Sequence, residues 1–203
     1  MYHLCTSEKA TAQQRRLCSS FLSLLLKYPY DDITISQLCQ EAGLSRNVFY
    51  RLFDKKADVL YALVDQAILD AQSFIPKSSV GPGGLHKFLA YWKDQKPLLD
   101  ALARNQINSL LTERVILHVM QEEPDIVHSF MGELANSPRE FLLFYISGLF
   151  SLVHNWHRQD YAMSIDEMAA LLMTILVTPP VKAQLRSSPL QPEQQEKLKI
   201  PNL

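Results

Sequence analysis

Hydrophobic residues recur along this chain at the three- and four-residue spacing of an amphipathic helix, and alternation never lasts long enough to indicate a β-strand. Leu17, Phe21 and Leu24 show this spacing and predict a first helix over 8–27. The same pattern, read together with turn and capping residues, predicts an all-α fold of about nine helices. The further predicted segments are 34–42, 45–53, 54–74, 84–94, 96–105, 107–123, 125–135, 138–158 and 165–177.

Turn and capping residues mark the ends of the early helices. Thr34 and Gln37 have the spacing of a capping box, in which each side chain accepts a backbone N–H of the first turn. Gly43 is expected to form a tight turn after the second helix, because glycine adopts positive φ without a Cβ penalty. Ser45 and Asp54 are predicted to cap the third and fourth helices.

A concentration of proline and glycine between 76 and 84 predicts a break in the chain. Ser164 and Glu167 form a second capping box before the last helix. We therefore expect a head of three short helices followed by a longer helical body. The predicted division is 1–54 for the head, 55–178 for the body and 179–203 for a polar, fraying tail.

The net charge is −1, from 20 Lys and Arg against 21 Asp and Glu, which excludes a strongly basic, tail-type nucleic-acid binder. The charge is nevertheless uneven. Between 42 and 56 the chain carries Arg46, Arg51, Lys55 and Lys56 against Asp54 alone. A basic surface of this kind suits an anionic partner, although a solvated face is the simpler interpretation.

Other classes of function find little support. The 3 cysteines suit neither a disulfide framework nor a zinc site, and no phosphate-binding glycine motif or hydrolase signature occurs. His154 and His157 share a helix edge, but no further ligand at a suitable spacing completes a metal site. We therefore expect no metal, no cofactor and no enzyme. The apolar stretch 141–153 is too short to span a membrane, and the N-terminus lacks a signal peptide, so we expect a cytoplasmic protein.

Two short helices joined by a glycine turn, the second one basic, are typical of a helix-turn-helix. At 100° per residue, one side of the third helix carries Phe49, Leu52 and Phe53, and the other side carries three polar residues. The major groove of DNA admits one such helix if its polar side faces outward. The three outward residues are Asn47, Tyr50 and Arg51.

The run 33–60, ITISQLCQEAGLSRNVFYRLFDKKADVL, resembles the DNA-binding signature of the TetR/AcrR family of transcriptional regulators. Ile33-Thr34 opens its second helix, Ala42-Gly43-Leu44-Ser45 forms the turn, and Phe49-Tyr50 precedes Phe53. The stretch 141–172 is similar to the C-terminal helical domain of a TetR subgroup. The resemblance covers roughly 10–178. It implies a three-helix DNA-binding head and a helical body that binds a ligand and dimerises, in a bacterial, DNA-associated homodimer that represses transcription until a small molecule binds.

By this resemblance Thr34, Ser45, Tyr50 and Lys56 correspond to family positions that contact phosphate. Arg46 and Asn47 correspond to the start of the helix that reads bases. The chain departs from the family at Asn47, Val48 and Leu52, where members often carry glycine or alanine, threonine and histidine. The predicted DNA-binding residues are Thr34, Ser36, Ser45, Arg46, Asn47, Tyr50, Arg51, Lys55 and Lys56.

The body offers candidate residues for a ligand pocket and for a dimer interface. The pocket candidates, which could also be ordinary core residues, are Phe74, Tyr91, Trp92, His118, Phe141 and Tyr145. The last two helices are apolar on more than one face, which predicts pairing with a second copy, a thick monomer core being the alternative. The dimer candidates are Ile146, Leu149, Val153, Met168, Leu171, Leu172 and Ile175.

Two other functions remain open at this stage. A coregulator on the same scaffold would recruit another protein and bind DNA weakly, and the missing histidine at Leu52 favours it. A small-molecule enzyme would require a nucleophile or base that no motif identifies.

Overall fold

A computed structural model describes residues 7–75, 82–122 and 138–177 of the chain. Within these residues the regular structure is helical, with no strand, which confirms the all-α fold class. The predicted segment 125–135 and the tail 179–203 lie outside the described residues. The helices are α1 Glu8–Leu25, α2 Ile35–Ala42, α3 Arg46–Leu52, α4 Lys56–Phe74, α5 Pro82–Asp94, α6 Lys96–Arg104, α7 Ser109–Glu122, α8 Pro138–Arg158 and α9 Ile165–Val177, with a 3₁₀ turn at Tyr30–Asp32.

The first three helices pack around a small apolar core, and α1 also packs along α4. Leu17, Phe21, Leu38, Phe49 and Phe53 are fully buried there. Each such side chain contributes about 1.5–3 kcal/mol by leaving water. Helices as short as α2 and α3 are marginal alone, so this shared core is what holds them in place.

Both predicted capping boxes are confirmed. Thr34 Oγ1 accepts the Gln37 backbone N–H at 3.1 Å, and Gln37 Oε1 accepts the Thr34 N–H at 2.9 Å. Ser164 Oγ accepts the Glu167 N–H at 3.2 Å, and the Glu167 carboxylate accepts the Ser164 N–H at 2.7 Å. That bond lowers the pKa of Glu167. Gly43 adopts φ +59° after α2, as the turn requires.

Two predicted helix ends are wrong by one or two residues. The backbone N–H of Lys55 donates to Asp58 Oδ2 at 3.0 Å, so Asp58 caps α4, and Asp54 stays exposed outside it. The first helix ends at Leu25 and not at 27, because the N–H groups of Lys27 and Tyr28 both donate to the Leu24 carbonyl.

In the body, α4 packs against α5 and α7, while α5 contacts α9 and α7 contacts α8. Trp92, Phe150 and Trp156 are the largest buried side chains of this part. The carboxylate of Asp65, 1% exposed, joins α4 to α7 by accepting two bonds from the Arg114 guanidinium and lying 3.1 Å from His118 Nε2. None of the described helices is both long and apolar enough to cross a membrane.

Four of the predicted dimer residues lie in the core of the chain itself. Ile146, Val153, Met168 and Leu172 are at most 6% exposed, because they face the neighbouring helices of their own chain. A second copy cannot reach them, so their assignment to an interface is wrong. Leu149 is half-buried, whereas the remaining two candidates are exposed: Leu171 at 39% and Ile175 at 47%.

Candidate nucleic-acid interface

Helix α3 presents one apolar side to the core and one polar side to solvent. Ser45 caps it, its Oγ accepting the Val48 N–H at 3.3 Å. Phe49 and Leu52 are buried, and Phe49 packs against Phe53 with ring centroids 5.8 Å apart. The predicted inward side is therefore confirmed, and these rings fix the rotation of α3 about its own axis.

The predicted outward side is confirmed as well. Arg46, Asn47, Tyr50 and Arg51 are all exposed, Tyr50 at 46%. Arg46 Nη2 donates to Tyr50 Oη at 3.3 Å, which places two hydrogen-bonding groups side by side at neighbouring turns of the helix. Since α3 carries no acidic residue, its outer surface combines positive charge with donors and acceptors suited to base edges and phosphates.

Four further predicted residues surround this surface. Thr34 and Ser36 lie at the start of α2, Ser45 precedes α3, and Lys55 precedes α4; all four are exposed. The hydroxyl groups of Thr34 and Ser45 each accept a backbone N–H. The Thr34 hydroxyl also donates to Gln37 Oε1 at 3.0 Å, so its proton is already used in this conformation, whereas Lys55 is exposed.

Lys56 differs from the other basic residues. Its Nζ donates to the carbonyls of Tyr30, Asp31 and Ile33 at 2.5, 3.3 and 2.8 Å, and it lies 4.2 Å from the centroid of the Tyr30 ring. Burial lowers the pKa of this ammonium group. Lys56 therefore fixes the chain before α2, and its donors are already used in this conformation.

The structure adds two residues of α1 that sequence patterns missed. Gln13 Oε1 accepts a bond from Arg51 Nη2 at 2.8 Å. The Arg16 guanidinium lies over the turn, so that a Cβ added to Gly43 would be 2.7 Å from Arg16 Nη2. No local motif predicts contacts between positions more than twenty residues apart. These contacts orient Arg51 and add an exposed cation beside the start of α3.

A set of hydrogen bonds fixes this head against the body. Asn105 Oδ1 accepts the Tyr30 N–H at 2.6 Å, and Asn105 Nδ2 donates to the Leu25 carbonyl at 3.3 Å. Arg104 Nη1 donates to the Leu26 carbonyl at 2.8 Å, at the end of α1. The residues at the end of α6 are therefore hydrogen-bonded both to the end of α1 and to the 3₁₀ turn at Tyr30, whose carbonyl accepts from Lys56 Nζ.

The predicted pocket residues do not form one group. Tyr91 and Trp92 are buried, and Phe74, although 53% exposed, packs on the Tyr91 ring at 5.9 Å. The Tyr91 hydroxyl donates to the Ala67 carbonyl at 2.6 Å, and burial raises its pKa to about 12. His118 instead pairs with Asp65, as described above. Tyr145 is half-buried, and the side chain of Phe141 lies outside the described part of the chain.

In the described part of the chain, no three His, Cys, Asp or Glu side chains come close enough together to hold a metal ion. The chain matches none of the family models compared with it, and no curated protein is significantly similar to it. The interpretation of the site therefore depends on its own geometry.

Proposed function

We propose that the protein is a homodimeric, sequence-specific DNA-binding regulator of the TetR/AcrR type, acting as a repressor in the bacterial cytoplasm. One observation carries the proposal: α3 buries Phe49 and Leu52 and exposes a continuous polar side with no acidic residue. A short helix held in this way, after a capped helix and a glycine turn, has the form that enters a major groove.

The exposed residues divide between two tasks. Arg46 and Asn47, at the start of α3, contact base edges, because guanidinium and amide groups form paired hydrogen bonds there. Tyr50, Arg51 and the residues around the helix contact phosphates and set its position. Lys56 is left out of the phosphate contacts, since backbone carbonyls occupy its donors.

A dimer is supported by large apolar side chains that are exposed on α8 and α9. Phe144 is 79% exposed, and the same side of α8 continues through Ser147, Gly148 and Ser151, all exposed. A Cβ added at Gly148 would meet nothing within 4 Å, so this chain alone does not require glycine in mid-helix. Glycine there costs about 1 kcal/mol relative to alanine. A second copy that packs closely on α8, beside Leu171 and Ile175 of α9, explains Gly148, because glycine allows two helices to approach each other.

A small molecule bound in the body releases DNA in this proposal. The small molecule binds more tightly to the form of the dimer in which the distance between the two heads does not match the two DNA half-sites. A ligand with equal affinity for both forms would not shift the equilibrium between them. The hydrogen bonds from Arg104 and Asn105 to the end of α1 are a direct physical connection between the body and the head.

A second candidate is a coregulator that recruits another protein and binds DNA weakly. Leu52 favours it, because this residue is 3% exposed and offers no polar contact to phosphate. Substituting Arg46 and Tyr50 by alanine separates the two functions. Promoter occupancy falls if this chain binds DNA directly and stays unchanged if another protein brings it there.

Selection of bound fragments from random DNA tests the proposal. We expect enrichment of a roughly palindromic sequence whose half-sites lie about one helical turn, 10 base pairs, apart. The Asn47→Ala variant should enrich a less defined sequence at the positions that Asn47 reads. Recovery of no common sequence by the unaltered chain would contradict sequence-specific binding.

A further inference from the structure

The body contains an aromatic cluster with two buried nitrogen atoms that the fold does not satisfy. Trp92 of α5 is 1% exposed, and its ring packs edge-on against Phe150 of α8 at 5.2 Å and against Phe88 at 6.3 Å. His154 lies one turn beyond Phe150, with ring centroids 6.4 Å apart. Neither Trp92 Nε1 nor His154 Nε2 has a hydrogen-bond partner among the described residues.

Such atoms are rare in folded proteins and costly. A buried polar group without a partner lowers the stability of the fold by about 1–3 kcal/mol, and two such groups in one cluster double this destabilisation. The other buried indole of the chain is satisfied, since Trp156 Nε1 donates to the Met163 carbonyl at 2.8 Å. The Tyr91 hydroxyl beside Trp92 is also bonded. Asn108 Oδ1 and Tyr161 Oη are also buried without a partner among the described residues, but only this cluster has two such nitrogen atoms beside one aromatic ring, that of Phe150.

The chemistry of the cluster restricts what it can bind. The rings of Phe88, Tyr91 and Phe150 all contact the Trp92 indole, and such surroundings favour a flat, apolar ring. Burial, with a smaller contribution from His157, lowers the pKa of His154, so that its imidazole is neutral and offers no charge to an ion. Trp92 Nε1–H can only donate, whereas His154 Nε2 accepts or donates according to its tautomer. A hydroxyl group, which both accepts and donates, satisfies either arrangement.

We propose that Trp92 and His154 form a binding site for a neutral cyclic molecule that carries a hydroxyl group, inserted among the rings of the cluster. The hydroxyl oxygen accepts from Trp92 Nε1–H and the ring packs against Phe150. The site itself does not depend on DNA binding. Its role as the effector site, in contrast, rests on the proposed function.

Phenol is a suitable probe, with toluene as the probe of the same shape that lacks the hydroxyl. The chain has 2 tryptophans, so the ¹⁵N-labelled protein gives two indole N–H signals, and the Trp156→Phe variant identifies the one from Trp92. We expect phenol to shift the Trp92 signal saturably and to leave the Trp156 signal in place. Phenol should bind about 3–10 times more tightly than toluene, the value of one net hydrogen bond.

Three variants make the test specific. Trp92→Phe and His154→Leu keep the apolar surface, remove one nitrogen each, and should abolish the preference for phenol while toluene still binds; the Trp156 signal reports that each variant is folded. His86→Leu, at an exposed histidine of α5, should keep the preference. No shift at saturating phenol, equal binding of both probes, or an unchanged preference in both variants would overturn the site. Phenol binding without any loss of DNA affinity would leave the site standing and reject its role as an effector site.

Discussion

Replacing Asp65 by alanine is expected to lower the free energy of unfolding by about 3 kcal/mol, at the lower end of the range for breaking a buried ion pair. Asp65 is 1% exposed, and its loss leaves the Arg114 guanidinium, 25% exposed, without the carboxylate that joins α7 to α4. The large effect comes from a partly buried guanidinium that has lost the Asp65 carboxylate, more than from the attraction itself. Urea unfolding followed by circular dichroism measures it.

Two variants control for this interpretation. Lys96→Ala removes an exposed pairing with Asp100 and Asp160, both at 3.4 Å, and should change stability far less than Asp65→Ala does. The double variant Asp65→Ala with Arg114→Met should recover part of the lost stability, because it also removes the guanidinium that Asp65 no longer neutralises. A double variant less stable than Asp65→Ala alone would count against the explanation.

The second large effect concerns two neighbouring aromatic residues of α3. Phe49→Ala should cost about 3–5 kcal/mol, because Phe49 is fully buried against Phe53 and its removal leaves a cavity. Tyr50→Ala should cost less than about 1 kcal/mol, since this side chain is 46% exposed. DNA affinity should show a different pattern: Tyr50→Ala weakens it about tenfold while the protein stays folded.

Thermal unfolding and fluorescence anisotropy with the selected DNA, measured on the same samples, check this pair of variants. Equal losses of stability would mean that α3 does not have one buried and one exposed side. A stable Tyr50→Ala variant with unchanged DNA affinity would remove Tyr50 from the interface.

Patterns within ten or twenty residues predicted much of this fold. The capping boxes at Thr34 and Ser164 and the glycine turn at Gly43 are local chemistry, and the structure has all three. The two sides of α3 follow from helical periodicity alone. At the start of α4 the structure differs through another local contact: the Lys55 N–H donates to Asp58, three residues further on, so α4 begins one residue later than a cap at Asp54 predicts.

Residues of the body were harder to assign. Periodicity indicated that Met168 and Leu172 are apolar positions to be buried, but it could not say whether by this chain or by a second copy. Likewise, no motif near Lys56 predicts that its ammonium group donates to the carbonyls of Tyr30 and Ile33. Hydrogen bonds of this kind join residues more than twenty positions apart, and only the folded chain brings them together.

The dependence of DNA affinity on salt tests most directly whether the polar side of α3 and the residues around it bind DNA. For the selected DNA sequence, the logarithm of the association constant should fall steeply with the logarithm of the salt concentration. The slope should grow by about 0.9 for each phosphate contacted. Lys55→Ala, at an exposed position beside α3, should reduce that slope by about 1, whereas Lys87→Ala on the exposed side of α5 should leave it unchanged. An affinity that ignores salt, or equal slopes for both lysine variants, would contradict DNA binding by this surface.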